Sequence, residues 1–293
     1  MTTIASWMSA GPHTLTRPEP SGYEHLELRP VSPTIGAELH GLDLRRELTD
    51  AEHAEVHRSL LDWKVVFFRD QRITGEQHRA FAARWGELEV HPFLPSGDVP
   101  EVVRFAKDAD TKGYENIWHS DVTWRDIPAL GSVLRALDVP PFGGDTLWAD
   151  MAAAYDGLPE ELQARIDGMV AVHDFTQSFG QAMGPDELAK MQEQYPAVEH
   201  PVVRSHPETG RKTLYVNAIF TSHILGLDRD ESDELLDVLT RQAHVPEYQC
   251  RFRWASDSIA FWDNRATQHY AVSDYWPQVR VMERATIIGD RPF

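Results

Sequence analysis

Residues 258–288 read SIAFWDNRATQHYAVSDYWPQVRVMERATII. Two short runs in this stretch, Ser258–Trp262 and Arg284–Ile288, have the β-branched and aromatic make-up of strands. Arg280 follows His269 by 11 residues (280 − 269). That separation can carry the chain along a turn and back up a neighbouring strand, so that the arginine points into the same cavity as the histidine. A guanidinium placed there can take a carboxylate through two parallel hydrogen bonds.

Working outward, similar runs recur at Lys64–Arg69 (KVVFFR), Val102–Phe105, Ser132–Leu137, Met169–His173 and Thr213–Val216, most of them bounded by Gly, Pro or Asp. The segment 202–216 reads as a hairpin around HPETG at 206–210. Helices are fewer. Thr49 with Glu52, and Thr74 with Gln77, form capping-box patterns ahead of apolar residues at helical spacing. Leu158–Ile166 and Asp230–Ala243 are two further amphipathic candidates. There is no regular strand–helix alternation and no Gly-rich strand-to-helix turn, so a doubly wound α/β fold is disfavoured. The fold class expected is mainly β with helical decoration, a β-sandwich or jelly roll. No Gly/Ser-rich or Pro-rich linker divides the 293 residues. Residues 1–24 are expected to be a loose tail and residues 25–293 a single domain.

The formal net charge of −18 argues against nucleic acid, because phosphate contacts need clustered Lys and Arg. It argues equally against an anionic membrane surface. The N-terminus lacks a basic region followed by an apolar run, and no stretch approaches a membrane span. A single cysteine, Cys250, excludes an internal disulfide and a cysteine-rich zinc site, and points to a reducing compartment, the cytoplasm.

The segment 116–123 reads NIWHSDVT. His119 and Asp121 are two residues apart, and on a strand such residues share a face, so both could meet one ion. The chain holds fourteen histidines, so the pair alone is weak. His-x-acid recurs at His25, His53 and His206, but His53 falls on an expected helix, where positions two apart diverge, and His206 falls in a turn. Two imidazoles and one carboxylate suit iron(II) and leave three adjacent coordination positions open. His269, in FWDNRATQHY, can supply the second imidazole. Trp118 and Trp124 flank the motif as packing residues.

KVVFFRDQ, WGELEVHPF, WHSDVTW, GGDTLWADM, HPVVRSHPETGRKTLYVN and the chain from WDNRATQHY to the C-terminus, in this order and spacing, resemble the taurine dioxygenase-like (TauD/TfdA) family of iron(II)/2-oxoglutarate oxygenases over about residues 25–293. The resemblance implies a double-stranded β-helix in which His119, Asp121 and His269 bind iron(II), with 2-oxoglutarate as cosubstrate and O2 as oxidant. It implies that Thr146 and Arg280 hold the distal carboxylate of 2-oxoglutarate and that Arg284 faces both the cosubstrate and an acidic group of the substrate. It places His91, Leu94, Asn116, Phe179 and Phe220 around the substrate. It also implies a homo-oligomer, dimer or tetramer. Two departures concern the substrate end: Leu94 stands where taurine dioxygenase has a tyrosine, and Glu115, with Asn116 next to it, stands where an asparagine is expected.

The reaction so implied is hydroxylation of a small anionic organic substrate, a sulfonate, sulfate ester or carboxylate, with release of succinate and CO2. If the hydroxylated carbon bears the sulfonate or an ether or sulfate oxygen, the product collapses to a carbonyl compound. Taurine dioxygenase proper is the alternative within the class. A zinc hydrolase could use the same three ligands, but would not need Arg280 at a fixed distance from them. A jelly-roll binding protein would need no open metal face. Halogenation needs a vacant ligand position for chloride, which Asp121 fills.

Overall fold

The computed structural model describes residues 15–96, 98–113 and 116–293. In chain order the first elements are β1 (Glu27–Pro30), β2 (Ala37–His40), α1 (Asp50–Trp63), β3 (Val65–Phe68), α2 (Gly75–Ala82), β4 (Val102–Lys107), β5 (Ala129–Asp138) and β6 (Thr146–Asp150). The middle of the chain forms α3 (Met151–Asp156), α4 (Glu160–Ile166), β7 (Val170–His173), α5 (Pro185–Gln194), β8 (Val198–Pro201), β9 (Val203–Ser205), β10 (Lys212–Leu214), β11 (Thr221–Ile224) and α6 (Arg229–Thr240). The last strands are β12 (Gln249–Phe252), β13 (Ile259–Asp263), β14 (Thr267–Ala271) and β15 (Arg280–Ile288).

Seven strands form one sheet in the order β1-β2-β3-β13-β5-β15-β4, and β12-β6-β14 form a second. All pairings in both are antiparallel except β2 with β3. Two smaller sheets, β11-β7-β8 and the β9/β10 hairpin, complete the strands. The two main sheets face each other. Their inward residues, Val65 and Phe67 of β3, Ala260 and Trp262 of β13, Met282 of β15, Trp148 of β6 and Phe252 of β12, share one buried cluster. This is the jelly roll expected from the sequence.

Alternation explains why β3 and β13 read as continuous apolar runs. Val66 and Phe68, and Ile259 and Phe261, point the other way, into a cluster with Val56, Leu60 and Trp63 of α1 and Phe81 of α2. The large sheet is covered on both faces, so every position of those strands is buried. A further cluster packs α3, α4 and α6 on the outside of the small sheet through Ala154, Leu162, Ile166, Leu235 and Leu239. The layers are therefore helix, sheet, sheet, helix.

Both capping boxes are formed, at Thr49/Glu52 on α1 and Thr74/Gln77 on α2. The hairpin at 202–216 is β9 and β10, with Lys212 opposite Ser205. The helices α3 and α5 have no counterpart in the expected pattern. α3 is six residues long, too short to show a period, and α5 has only Leu188 and Met191 as a half-buried apolar stripe on an otherwise polar segment. Residues 15–24 have no regular structure, yet Tyr23 packs on the core and lies under the Arg58 guanidinium at 3.9 Å. Among the described residues, no helix is long and apolar enough to cross a membrane.

Candidate metal centre

β13, a tight turn and β14 form one continuous unit, and β14 carries His269 opposite Trp148 of β6. His119 comes from a different segment. It forms an isolated antiparallel bridge with His269, N–H to carbonyl in both directions at 3.1 and 2.8 Å. The chain then turns at once, and Val122 adopts φ +47°. The expectation of a strand through His119 and Asp121 is thus corrected. Strand pairing ends at His119, and a turn brings Asp121 back toward the two rings. The reason lies in Asn264, which holds the Asp121 main chain: its Oδ1 accepts from Asp121 N at 2.7 Å and its Nδ2 donates to Asp121 O at 2.9 Å.

The three side chains converge. One ligand atom from each of His119, Asp121 and His269 lies within 4.8 Å of the other two. Asp121 Oδ1 is 3.9 Å from His119 Nε2 and 4.0 Å from His269 Nε2. His119 Nδ1 is 2.8 Å from the Ile117 carbonyl, which can only accept. The proton is therefore on Nδ1, and the Nε2 lone pair faces the centre. Burial, then the neighbouring His119, pushes His269 down to about 3, so its ring is neutral. Burial would by itself raise the Asp121 carboxyl, but Arg284 and the two imidazoles pull it below the ordinary range. Two neutral imidazoles and one ionised carboxylate are the donor set that a divalent iron accepts.

Arg284 Nη1 donates to Asp121 Oδ1 at 2.7 Å, and among the described residues its buried Nε has no hydrogen-bond partner. His91 is buried and accepts at Nδ1 from Phe93 N at 3.2 Å, which leaves its proton on Nε2. Burial, then the Arg284 charge, pushes His91 down to about 3. Next to it, Phe179 lies 5.5 Å from the His91 ring, and Phe220 lies 6.4 Å from Phe179 and 6.3 Å from His119. These four residues, Arg284, His91, Phe179 and Phe220, expected around substrate, therefore gather beside the triad. Leu94 is half-buried, whereas Phe93 joins the aromatic group with Phe175, Phe179 and Trp124. Trp118 and Trp124 are buried. Asn116 is exposed, and Glu115 lies outside the described residues.

At the other end, Arg280 Nε donates to Gly144 O at 3.1 Å. Thr146, two residues further on, accepts from Trp254 Nε1 at 3.0 Å. Gly144 has φ +67°, and a Cβ there would lie 3.1 Å from both Arg280 Cδ and Tyr275 Cδ1. Only glycine lets the chain pass this close to the arginine.

Four residues beside the centre are absent from the expected set. Asn264 is one, although it lies within WDNR. Ser132 donates to Asp121 Oδ2, and on the adjacent strand the Thr286 hydroxyl lies 3.3 Å from that of Ser132. Glu89 is buried, paired with Arg125 at 2.6 Å, and held above its ordinary value by burial. A lone serine or threonine in a strand carries no periodic signal, so only the fold could find those two.

Residues 27–286 match the family described as Taurine catabolism dioxygenase TauD, TfdA family. An alkylsulfatase of Acinetobacter baylyi is 37% identical over 275 residues, 91% of this chain and 86% of that protein. An alpha-ketoglutarate-dependent sulfate ester dioxygenase of Pseudomonas putida is 36% identical, covering 97% of this chain and 94% of that protein. The crystal structure of a taurine dioxygenase from Burkholderia xenovorans superposes with a TM-score of 0.80 at 41% identity, over 92% of this chain and 93% of that one.

Proposed function

Since this chain belongs to the TauD/TfdA family of iron(II)- and 2-oxoglutarate-dependent dioxygenases, we propose that its preferred substrate is a medium-sized sulfate ester, sulfonate or organic acid with an apolar body, rather than taurine. The observation that carries this reading is the buried Arg284 Nε without a partner, beside His91 and an aromatic wall. A buried guanidinium donor left unmet is costly, and an anionic oxygen meets it. His91 Nε2–H adds a second donor. Phe179 and Phe220, with Phe93 behind them, then receive hydrocarbon, at about 0.8 kcal/mol per buried methylene. Leu94 supplies no hydroxyl for a charged amino end. Two of the relatives above are named for sulfate esters.

In this reading His119, Asp121 and His269 hold the iron. The iron supplies activation of O2 coupled to oxidative decarboxylation of 2-oxoglutarate to succinate and CO2. Arg280, a cation at the start of β15, takes the distal carboxylate of 2-oxoglutarate, with Thr146 as a hydroxyl donor beside it. Arg284 and His91 fix the anionic head of the substrate, so that the C–H bond nearest that head faces the metal. Trp124, Phe175 and Phe220, all buried, keep water from the reacting carbon. Hydroxylation next to a sulfate oxygen yields a hemiacetal-type product that collapses to an aldehyde and free sulfate.

The test is a comparison of specificity constants for taurine and a linear alkyl sulfate on one preparation, with succinate as the readout. The alkyl sulfate should be the better substrate. Taurine better by tenfold or more would restore the plain taurine dioxygenase assignment, and turnover without O2 would favour a zinc hydrolase. The single cysteine, Cys250, is buried and burial pushes its thiol up, in keeping with a cytoplasmic protein. The family resemblance supports a dimer or tetramer, which sedimentation would measure.

A further inference from the structure

We propose that Ser132, backed by Thr286, holds Asp121 as a one-oxygen ligand and so keeps a coordination position open for 2-oxoglutarate; this rests on the reading of Asp121 as a metal ligand. The two carboxylate oxygens of Asp121 have different surroundings. Oδ1 faces both imidazoles and accepts from Arg284. Oδ2 accepts from Ser132 Oγ at 3.1 Å. Ser132 and Thr286 are register partners on β5 and β15, and their hydroxyl oxygens are 3.3 Å apart. Ser132 has one proton and an ionised carboxylate can only accept, so that proton goes to Oδ2. The hydroxyl of Thr286 supplies the proton of the second bond. Both hydroxyls then align on the carboxylate and strengthen each other in a buried setting.

Main-chain movement is already blocked by the two Asn264 hydrogen bonds. The remaining freedom of Asp121 is rotation of its carboxylate, which Arg284 on Oδ1 and Ser132 on Oδ2 together remove. A rotated carboxylate would present both oxygens to the ion. It would then take one of the three positions that a two-His-one-carboxylate set leaves for a chelating 2-oxo acid and O2. Ser132 and Thr286 are positioning residues, because they act on the centre through Asp121.

The experiment uses the full chain loaded with cobalt(II) under anaerobic conditions, where the visible absorption reports the ligand set and geometry around the ion. Ser132→Ala, Thr286→Val and Thr286→Ser are compared with the parent, and 2-oxoglutarate is then titrated in. Ser132→Ala should bind cobalt, show a visible band shifted from the parent's, and bind 2-oxoglutarate about tenfold more weakly, the effect of losing one hydrogen bond to a charged group. Thr286→Val should move in the same direction by less, and Thr286→Ser should match the parent. A parent-like spectrum with a 2-oxoglutarate constant within twofold in Ser132→Ala would overturn the proposal. So would Thr286→Ser behaving like Thr286→Val, because the hydroxyl would then not be the cause. If Ser132→Ala fails to fold, the two Thr286 variants decide alone. Asp121→Ala serves as the separate control: full cobalt affinity in that variant would remove the ligand assignment itself.

Discussion

Three residues converge on the candidate metal centre, and each is set by what its far side touches. His119 is held through Nδ1 by the Ile117 carbonyl, and Asp121 through Oδ2 by Ser132. His269 is held by ring contact with Trp262 at 4.9 Å and with His119 at 4.2 Å. Replacing His119, Asp121 or His269 with Ala should abolish both stoichiometric iron(II) binding and succinate formation, measured by metal analysis after anaerobic loading. Full turnover of Asp121→Ala without added carboxylate would contradict the assignment. Arg280 belongs to the same scale. In the role proposed for it, its replacement by Leu leaves the distal carboxylate of 2-oxoglutarate without a charge partner. Truncating one member of such a buried pair costs about 2–5 kcal/mol, so the cosubstrate constant should rise at least roughly thirtyfold. An unchanged constant would pass that role to Arg284.

At the scale of elements, the turn after His119 is the segment under most constraint. Val122 is β-branched and sits in the left-handed region at φ +47°, a conformation that persists only when the surroundings over-determine it. They do so from both sides. Asn264 clamps Asp121 before it. After it, Thr123 Oγ1 is held by His173 and Asn217, each at 3.0 Å, and Thr123 O lies 3.0 Å from His200 Nε2. Asn264→Ala leaves a buried N–H and a buried carbonyl unpaired and frees the ligand. We expect iron(II) affinity to fall roughly 10–100-fold, the usual size for loss of a supporting partner, in an anaerobic titration. Parent affinity would show that the turn holds without the clamp. The first helix offers a separate measurement. Arg46, with Thr49, lowers the Glu52 carboxyl to about 2 from its ordinary 4.5, against burial that raises it. A depressed carboxyl contributes stability that is full above 4.5 and is lost as pH falls through about 2. Glu52→Gln should therefore flatten the stability profile in that window, and Thr49→Ala should cost about 1 kcal/mol at neutral pH. Both are read from urea unfolding, and a parent-like acid limb in Glu52→Gln would refute the linkage.

At the scale of the molecule, the two main sheets are tied together at the end of α1. Lys64, in the left-handed cap position at φ 62°, sends Nζ to Asp150 Oδ2 at 3.1 Å and to Thr34 O at 2.9 Å. Asp150 closes β6 and caps α3 with its other oxygen, Oδ1, at 3.0 Å from Ala152 N and Ala153 N. One buried pair thus joins the large sheet, the small sheet and two helices. Lys64→Met would leave Asp150 charged and buried without a cation. A loss of about 3–5 kcal/mol in unfolding free energy is expected, and a loss under 1 kcal/mol would show that Asp150 is satisfied by its helix alone.

Periodicity in the sequence was enough for the strands, since KVVFFR and SIAFW alternate between two buried faces, and for α1 and α2, whose capping boxes are local four-residue patterns. Sequence order and motif spacing also pointed to His119, Asp121 and His269, which the fold brings together with Arg284 beside them, and proposed Arg280 for the cosubstrate. What local patterns could not contain is the partner of each group. His119 and His269 lie 150 residues apart (269 − 119) and become neighbours only because a strand bridge closes between them. The strand expected through Asp121 gave way to a turn because Asn264, far along the chain, offers its backbone a better pair of hydrogen bonds. Thr286 meets the Ser132 hydroxyl that holds Asp121 only because β5 and β15 pair in one register. Alternation and capping depend on residues a few positions apart and can be read from the chain; hydrogen bonds between distant segments are decided by tertiary packing, and here those bonds aim the side chains of the candidate metal centre.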